Sequence, residues 1–240
     1  MHTFHKTFPA PAAAILNVIM FFGFLILLGC SGNEDLSRAN NLLESGDFLG
    51  ARDLYLNAIE HNPKNAIAQY GVGMTWCAEA IYKTELGLVQ PHDWYPAIYH
   101  TSLALSMGGG DDVSKALAIL HFNLGANYRR LGDNTAAIGR IAQAVTYDST
   151  LLKAVNLLGA IYQELGDLDN AEQWYSKAIQ VRPDYSMAYF NLGAISWARA
   201  DFKSACSFFS KASELEPDNG YFKSWVDKAS SRTVSAGVGE

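Results

Sequence analysis

Cysteine is scarce in this 240-residue chain: three residues in all, Cys30, Cys77 and Cys206. That excludes a small scaffold stapled by disulfides. An excess of positive charge is lacking too. Lys and Arg total 18 against 24 Asp and Glu, for a formal net charge of −6. Such a balance does not suit nucleic acid, and it leaves no polybasic patch for anionic lipid. The signatures of common chemistries are missing as well. There is no His-Glu-x-x-His pair, no phosphate-cradling glycine loop and no nucleophile elbow. His92, Asp93 and His100 are the best metal candidates, but their spacing fits no ligand set; His92-Asp93 reads as a turn after Pro91 and His100 as a helical residue. Gly108–Asp112 lacks the alternating oxygens and closing Glu of a calcium loop and reads as a link and helix cap. No metal, cofactor or enzymatic activity is expected.

What is present is a repeat of 34 residues. Gly125, Gly159 and Gly193 keep that step, as do Leu124, Leu158 and Leu192, Ala137, Ala171 and Ala205, Ala144, Ala178 and Ala212, and Asp133, Asp167 and Asp201. Pro183 and Pro217 close two units. In the unit Leu152–Tyr185, Val155, Leu158, Gly159 and Tyr162 form one helical stripe, and Leu168, Ala171, Tyr175 and Ala178 a second. Gly166 suits a left-handed helix end, Asp167 a cap, and Gly159 a close helix contact. In the last unit Ala200 stands where the turn glycine is expected, so that turn is less well specified.

This pattern resembles the tetratricopeptide repeat, a helix–turn–helix unit that buries its apolar face only by stacking on neighbours. The resemblance implies an all-α, right-handed solenoid of about five repeats, over residues 36–219. The approximate units are 32–65, 66–117, 118–151, 152–185 and 186–219. The second is expanded to 52 residues, with 12 extra between its helices and 6 after them. Tyr221, Phe222, Trp225 and Val226 predict a capping helix over 220–232, followed by a patternless tail, 233–240.

The first 29 residues read as a targeting segment. Lys6 precedes the apolar run Ala12–Leu28, broken by Asn17, and Leu27-Leu28-Gly29-Cys30 follows. That ending resembles the bacterial lipobox. The resemblance implies cleavage before Cys30, a lipidated Cys30, a short tether over 30–35, and a protein anchored in the bacterial cell envelope. Ser31 in place of Asp implies the outer membrane, facing the periplasm. The alternative is an uncleaved signal anchor, since the run approaches the length of a membrane span. Both place the repeats beyond the inner membrane. Cys77 and Cys206 read as buried free thiols in distant repeats.

In arrays of this family the first helices line a concave surface. That geometry assigns Tyr70, Met74, Phe122, Asn123, Arg129, Lys153, Asn156, Phe190, Asn191 and Trp197 to partner binding, with Ile119 and Met187 beside them. Phe122 and Asn156 depart from the lysines, arginines and asparagines of chaperone-tail clamps, so that ligand is not carried over. The expected function is a lipid-anchored scaffold holding a protein or peptide partner. It is similar in layout to pilotins of pilus secretins and to lipoproteins that collect cell-wall hydrolases. The alternative is a small-ligand component of envelope transport, in which the expanded repeat forms a lid and Trp94, Tyr95 and Tyr99 line a pocket.

Overall fold

The computed structural model describes residues 34–237, which are all-helical; the expected targeting segment and the lipobox-like ending at Cys30 lie outside the described residues. The chain divides into two compact units, one ending at Asp148 and the other beginning at Ser149. The first unit holds α1 (Glu34–Glu44), α2 (Phe48–His61), α3 (Ala66–Glu85), a 3₁₀ turn (Pro91–Trp94), α4 (Tyr95–Ser106), α5 (Gly110–Arg130) and α6 (Asn134–Tyr147). The second holds α7 (Leu152–Glu164), α8 (Leu168–Val181), α9 (Ser186–Ala198), α10 (Phe202–Leu215) and α11 (Gly220–Gly237). Within each unit every helix packs on the next, giving the stacked hairpins of an α-solenoid.

One local device makes most of the hairpins. A residue of positive φ ends the first helix: Gly46, Gly132, Gly166 or Ala200. The following Asp then donates its backbone N–H back across the helix end, Asp47 to Leu42, Asp133 to Tyr128, Asp167 to Tyr162 and Asp201 to Ser196, at 2.9–3.0 Å. This is a Schellman closure, which satisfies otherwise orphaned carbonyls. The same Asp side chain accepts from the N–H three residues on: Gly50, Ala136, Asn170 and Ser204, at 2.9–3.1 Å. One residue therefore closes one helix and caps the next.

The paired helices meet where a small residue faces a large one. A β-carbon on Gly125 would lie 2.4 Å from Ile141, one on Gly159 2.6 Å from Tyr175, and one on Gly193 2.6 Å from Phe209. Each pair is 16 residues apart in the chain. In the expanded repeat the corresponding pair is Gly73 and Thr101, 28 apart, at 2.5 Å. The longer spacing is taken up by a lengthened α3, the connector and the 3₁₀ turn. The residues after α4 have another fate: they extend α5 backwards, so that it starts at Gly110 instead of near Ala118. Gly109 gives no side-chain cap there, but Asp111 and Asp112 occupy the first turn, where the helix dipole favours them. At the other end α11 runs to Gly237, beyond the 232 read from the sequence.

Candidate partner-binding surfaces

In the first unit, Tyr70 and Met74 are core residues, 5% and 6% exposed, and do not line an open groove. They belong to the core cluster that also takes in Val113 and Ala116 of the extended α5. Burial is the main cause that drives the Tyr70 phenol above its ordinary pKa, and Cys77 and Asp112, the latter in the first turn of α5, raise it further. Ile119, Phe122, Asn123 and Arg129 are half-buried on α5. Cys77 is fully enclosed and its thiol is pushed up to about 12, so it is not a reactive thiolate.

Asn123 belongs to a cavity of about 450 Å³, lined also by Ile81, Thr84 and Glu85 of α3, Val89 and Trp94 of the connector and 3₁₀ turn, and Ala126, Asn127 and Arg130 of α5. The connector is tied at both ends. Leu88 and Val89 donate backbone N–H groups to the Lys83 carbonyl at 2.8 and 3.1 Å. The Val89 carbonyl accepts from Arg130 Nη2 at 3.0 Å and from Asn127 Nδ2 at 3.4 Å. A charged chain then fixes the 3₁₀ turn: Lys83 donates to Asp93 at 2.7 Å and pairs with Glu79 at 3.1 Å, and Glu79 pairs with Arg52 at 3.0 Å. Arg52 also donates to Thr75 at 2.9 Å and lies 3.5 Å over the Trp76 ring. Burial pushes the Asp93 carboxyl up, but Lys83 and the Gln90 N–H together hold it below its ordinary value.

The metal candidates are not brought together. His92 points out, its side chain 76% exposed, and the His100 ring nitrogen lies 2.8 Å from Gln69 Oε1. No group of three His, Cys, Asp or Glu among the described residues is placed to hold a metal ion. Nor do the three aromatics of the expanded repeat share a pocket. Trp94 lines the cavity, Tyr95 pairs through its hydroxyl with that of Tyr128 at 2.6 Å, and Tyr99 stands 60% exposed.

In the second unit, Lys153 and Met187 are exposed, and Asn156 and Asn191 half-buried. Phe190 and Trp197 do not present free faces. Phe190 packs on Phe209, Tyr221, Phe222 and Trp225, with ring centroids 5.0–6.2 Å apart. Trp197 meets Phe202 at 5.0 Å and Trp225 at 5.6 Å, both edge-on. The capping helix covers the inward positions of the last repeat with its own aromatics. Cys206 is half-buried, its sulfur 3.3 Å from the Ser230 hydroxyl, and both Cys77 and Cys206 are free.

Family models match three stretches: a TPR repeat at residues 159–198, and tetratricopeptide repeats at 36–76 and 188–219. The chain carries tetratricopeptide repeats. Solved structures agree in fold. MamA is 23% identical over 76% of this chain and 96% of its own, with a TM-score of 0.50. YrrB, described as a TPR protein with an unusual peptide-binding site, is 20% identical over 82% of this chain and 95% of its own, at 0.50. The C-terminal part of a TPR repeat-containing protein from Cytophaga hutchinsonii is 18% identical over 83% of this chain and 72% of its own, at 0.53. No curated protein sequence matches.

A TPR fold implies binding of protein or peptide partners. Here the cavity lies on the first helices α3 and α5, and most of its lining was not foreseen. Ile81, Val89, Asn127 and Arg130 carry no repeat signal. Asn127 lies one turn beyond Asn123 on the same α5 face, and that i, i+4 pair was the available clue.

Proposed function

We propose that this protein is a lipid-anchored adaptor of the bacterial cell envelope that holds a partner protein on its TPR helices and does no chemistry itself. The repeat architecture carries this reading. Stacked hairpins bury one face of each helix against neighbours and leave the other as recognition surface. The anchor rests on Leu27-Leu28-Gly29-Cys30 and its apolar run. Several acyl chains at about 0.8 kcal/mol per buried CH₂ give stable attachment. Ser31 favours the outer membrane, with the repeats in the periplasm. The partner classes that suit this layout are a secretin or pilus component and a cell-wall hydrolase.

Labelled palmitate incorporation tests the anchor: wild type labels and Cys30→Ser does not. Crosslinking in intact envelopes tests the adaptor role, and recovery of no protein partner would remove it. The cavity beside Trp94 favours a second reading, a small-ligand component of envelope transport. Native mass spectrometry of the purified protein with a bound small molecule would support that reading.

A further inference from the structure

We propose that the outer face shared by the second helices α4 and α6 is a carbohydrate-binding surface, which takes a glycan strand with its sugar rings on Tyr95 and Tyr99 and a carboxylate on Arg140. The inference rests on the envelope location proposed above, where wall glycan is the polysaccharide within reach.

Charge sets this face apart. α4 and α6 are 12 and 14 residues long and carry a single Lys, Arg, Asp or Glu between them, Arg140. The other second helices, α2, α8 and α10, carry three each. Neutral hydrogen-bonding groups stand where those charges would be. On α4, Tyr95, Tyr99, Ser102 and Ser106 fall at i, i+4, i+7 and i+11, a single helical stripe in which Tyr95 and Tyr99 are 41% and 60% exposed. On α6, Thr135, Gln143 and Thr146 are exposed. The Ser106 and Thr146 hydroxyls donate to the Leu103 and Ala142 carbonyls, which leaves their oxygens free to accept. The Tyr95 and Tyr128 hydroxyls, 2.6 Å apart, use one proton between them and keep the other to donate. A sugar ring has an apolar C–H face rimmed by hydroxyls, and an exposed tyrosine, apolar on its face and polar at its tip, is its counterpart.

Arg140 joins the two helices. Its guanidinium carbon lies 5.8 Å from the Tyr95 ring centroid, and its Nη1 donates to Gln143 at 3.2 Å. No carboxylate pairs with it among the described residues; Asp133, whose charge reaches Tyr128, caps α6 through the Ala136 N–H. One cation is too few for a nucleic acid or an anionic bilayer. Tyr95 and Tyr99 are the only large apolar side chains exposed on these helices, too few for the apolar centre of a protein interface. A polyhydroxylated chain with scattered carboxylates matches what is there.

Gly139, next to Arg140, is an independent sign of a ligand. Glycine is a poor residue for a helix interior. A β-carbon there would meet nothing within 4 Å and its φ is not positive, so neither packing nor a turn accounts for it. The equivalent positions in the next two repeats hold Gln173 and Ser207. Bare backbone at this exposed point lets a flat ligand approach α6 closely.

The test is calorimetric titration of the full-length lipoprotein in lauryldimethylamine oxide, a detergent without sugar. The probes are bacterial wall glycan strands freed of their peptides, which carry carboxylates, neutral chitotetraose, and poly-L-glutamate. The strands should bind saturably, chitotetraose at least about threefold more weakly, and poly-L-glutamate not at all. Gly139→Gln and Tyr99→Ala, both at exposed positions, should each weaken strand binding by at least about tenfold, and Arg140→Gln should abolish the preference over chitotetraose. Thermal melting checks that each variant is folded, and if Gly139→Gln is not, Tyr99→Ala decides. No saturable binding of the strands, equal binding of poly-L-glutamate, or undiminished binding in the folded variants would each overturn the surface. Palmitate labelling separates this from the envelope reading. Labelling at Cys30 without glycan binding leaves the envelope anchor standing and removes the surface, whereas glycan binding without labelling removes the anchor and keeps the surface.

Discussion

Gly159 lies against the ring of Tyr175 so closely that a β-carbon there would stand 2.6 Å from it. Tyr175 is 1% exposed and its hydroxyl donates to Gln163 at 2.9 Å, so the ring is held at both ends. Gly159→Leu therefore forces α7 and α8 apart, and overpacking of this kind costs about 1–3 kcal/mol. Leu improves helix propensity by about 1 kcal/mol over Gly, which would dominate at an open site. A lower thermal midpoint is expected, and an unchanged or higher one would show that the contact is not tight.

Ala200 is the only non-glycine with positive φ among the described residues, at 61°, where Gly132 and Gly166 serve in the neighbouring repeats. An L-residue in that region carries a strain of roughly 1–2 kcal/mol. Ala200→Gly relieves it and loses part of the gain to the freer unfolded chain. The net expectation is a stabilisation of about 0.5–1 kcal/mol, read as a higher urea midpoint.

These two sites show why most of the fold was legible. Gly159 and Gly166 mark geometries that few other residues tolerate, and Asp167 both closes and caps, so the repeat writes itself into residue identity. The expanded repeat shows itself through Gly73 and through Ala97 and Ala104, which keep the seven-residue spacing of Ala137 and Ala144. The binding surface was less so. Tyr70 and Phe190 stand at groove positions by period alone, but one is enclosed beside an extended α5 and the other lies beneath α11. Neither fate follows from the repeat, because both depend on irregular neighbours. Asn123 was found at the cavity for the opposite reason: its own helix is regular there.

The Lys83–Asp93 pair should give the connector a defined pH window. The Asp93 carboxyl is held below 3.8, so its contribution is present above that value and is lost as pH falls through the lowered pKa. Lys83 is raised above 10.5, first by its hydrogen bond to Asp93, so its share is present below that value and is lost as pH rises through the raised one. Between those limits Asp93→Asn should speed amide exchange at Leu88 and Val89. Exchange unchanged from wild type at neutral pH would mean the pair does not hold the connector.

His121 should impose a second pH dependence. It is 4% exposed, stacks on Tyr147 with centroids 5.4 Å apart, and its pKa falls to about 4 through burial first and the Arg140 charge second. The unfolded chain takes up its proton near 6.5, so stability contributed by the neutral ring is full above that and declines toward about 4. One proton sets a slope of at most about 1.4 kcal/mol per pH unit. His121→Leu should lose less stability than wild type between pH 7 and pH 5, measured by denaturant midpoints, and parallel curves would exclude the effect.

Phe122 and Phe190 are equivalent in the repeat and should behave differently when truncated. Phe190 is wedged among Phe209, Tyr221, Phe222 and Trp225, so Phe190→Ala removes the contact between the last repeat and its cap. Truncating a fully buried ring costs about 3–5 kcal/mol, and Phe190, half-buried but wedged among four rings, should lose about 2 kcal/mol. Phe122 is half-buried on α5 beside Asn123, a residue of the cavity. Phe122→Ala should change the unfolding free energy by no more than about 1 kcal/mol and weaken partner capture, since aromatic anchors commonly contribute 2 kcal/mol or more to binding. Phe190→Ala should do the reverse, lowering the midpoint while the folded protein retains its crosslinked partner. Equal destabilisation by both would make Phe122 a core residue. Undiminished capture by a folded Phe122→Ala would move the binding surface away from this part of α5.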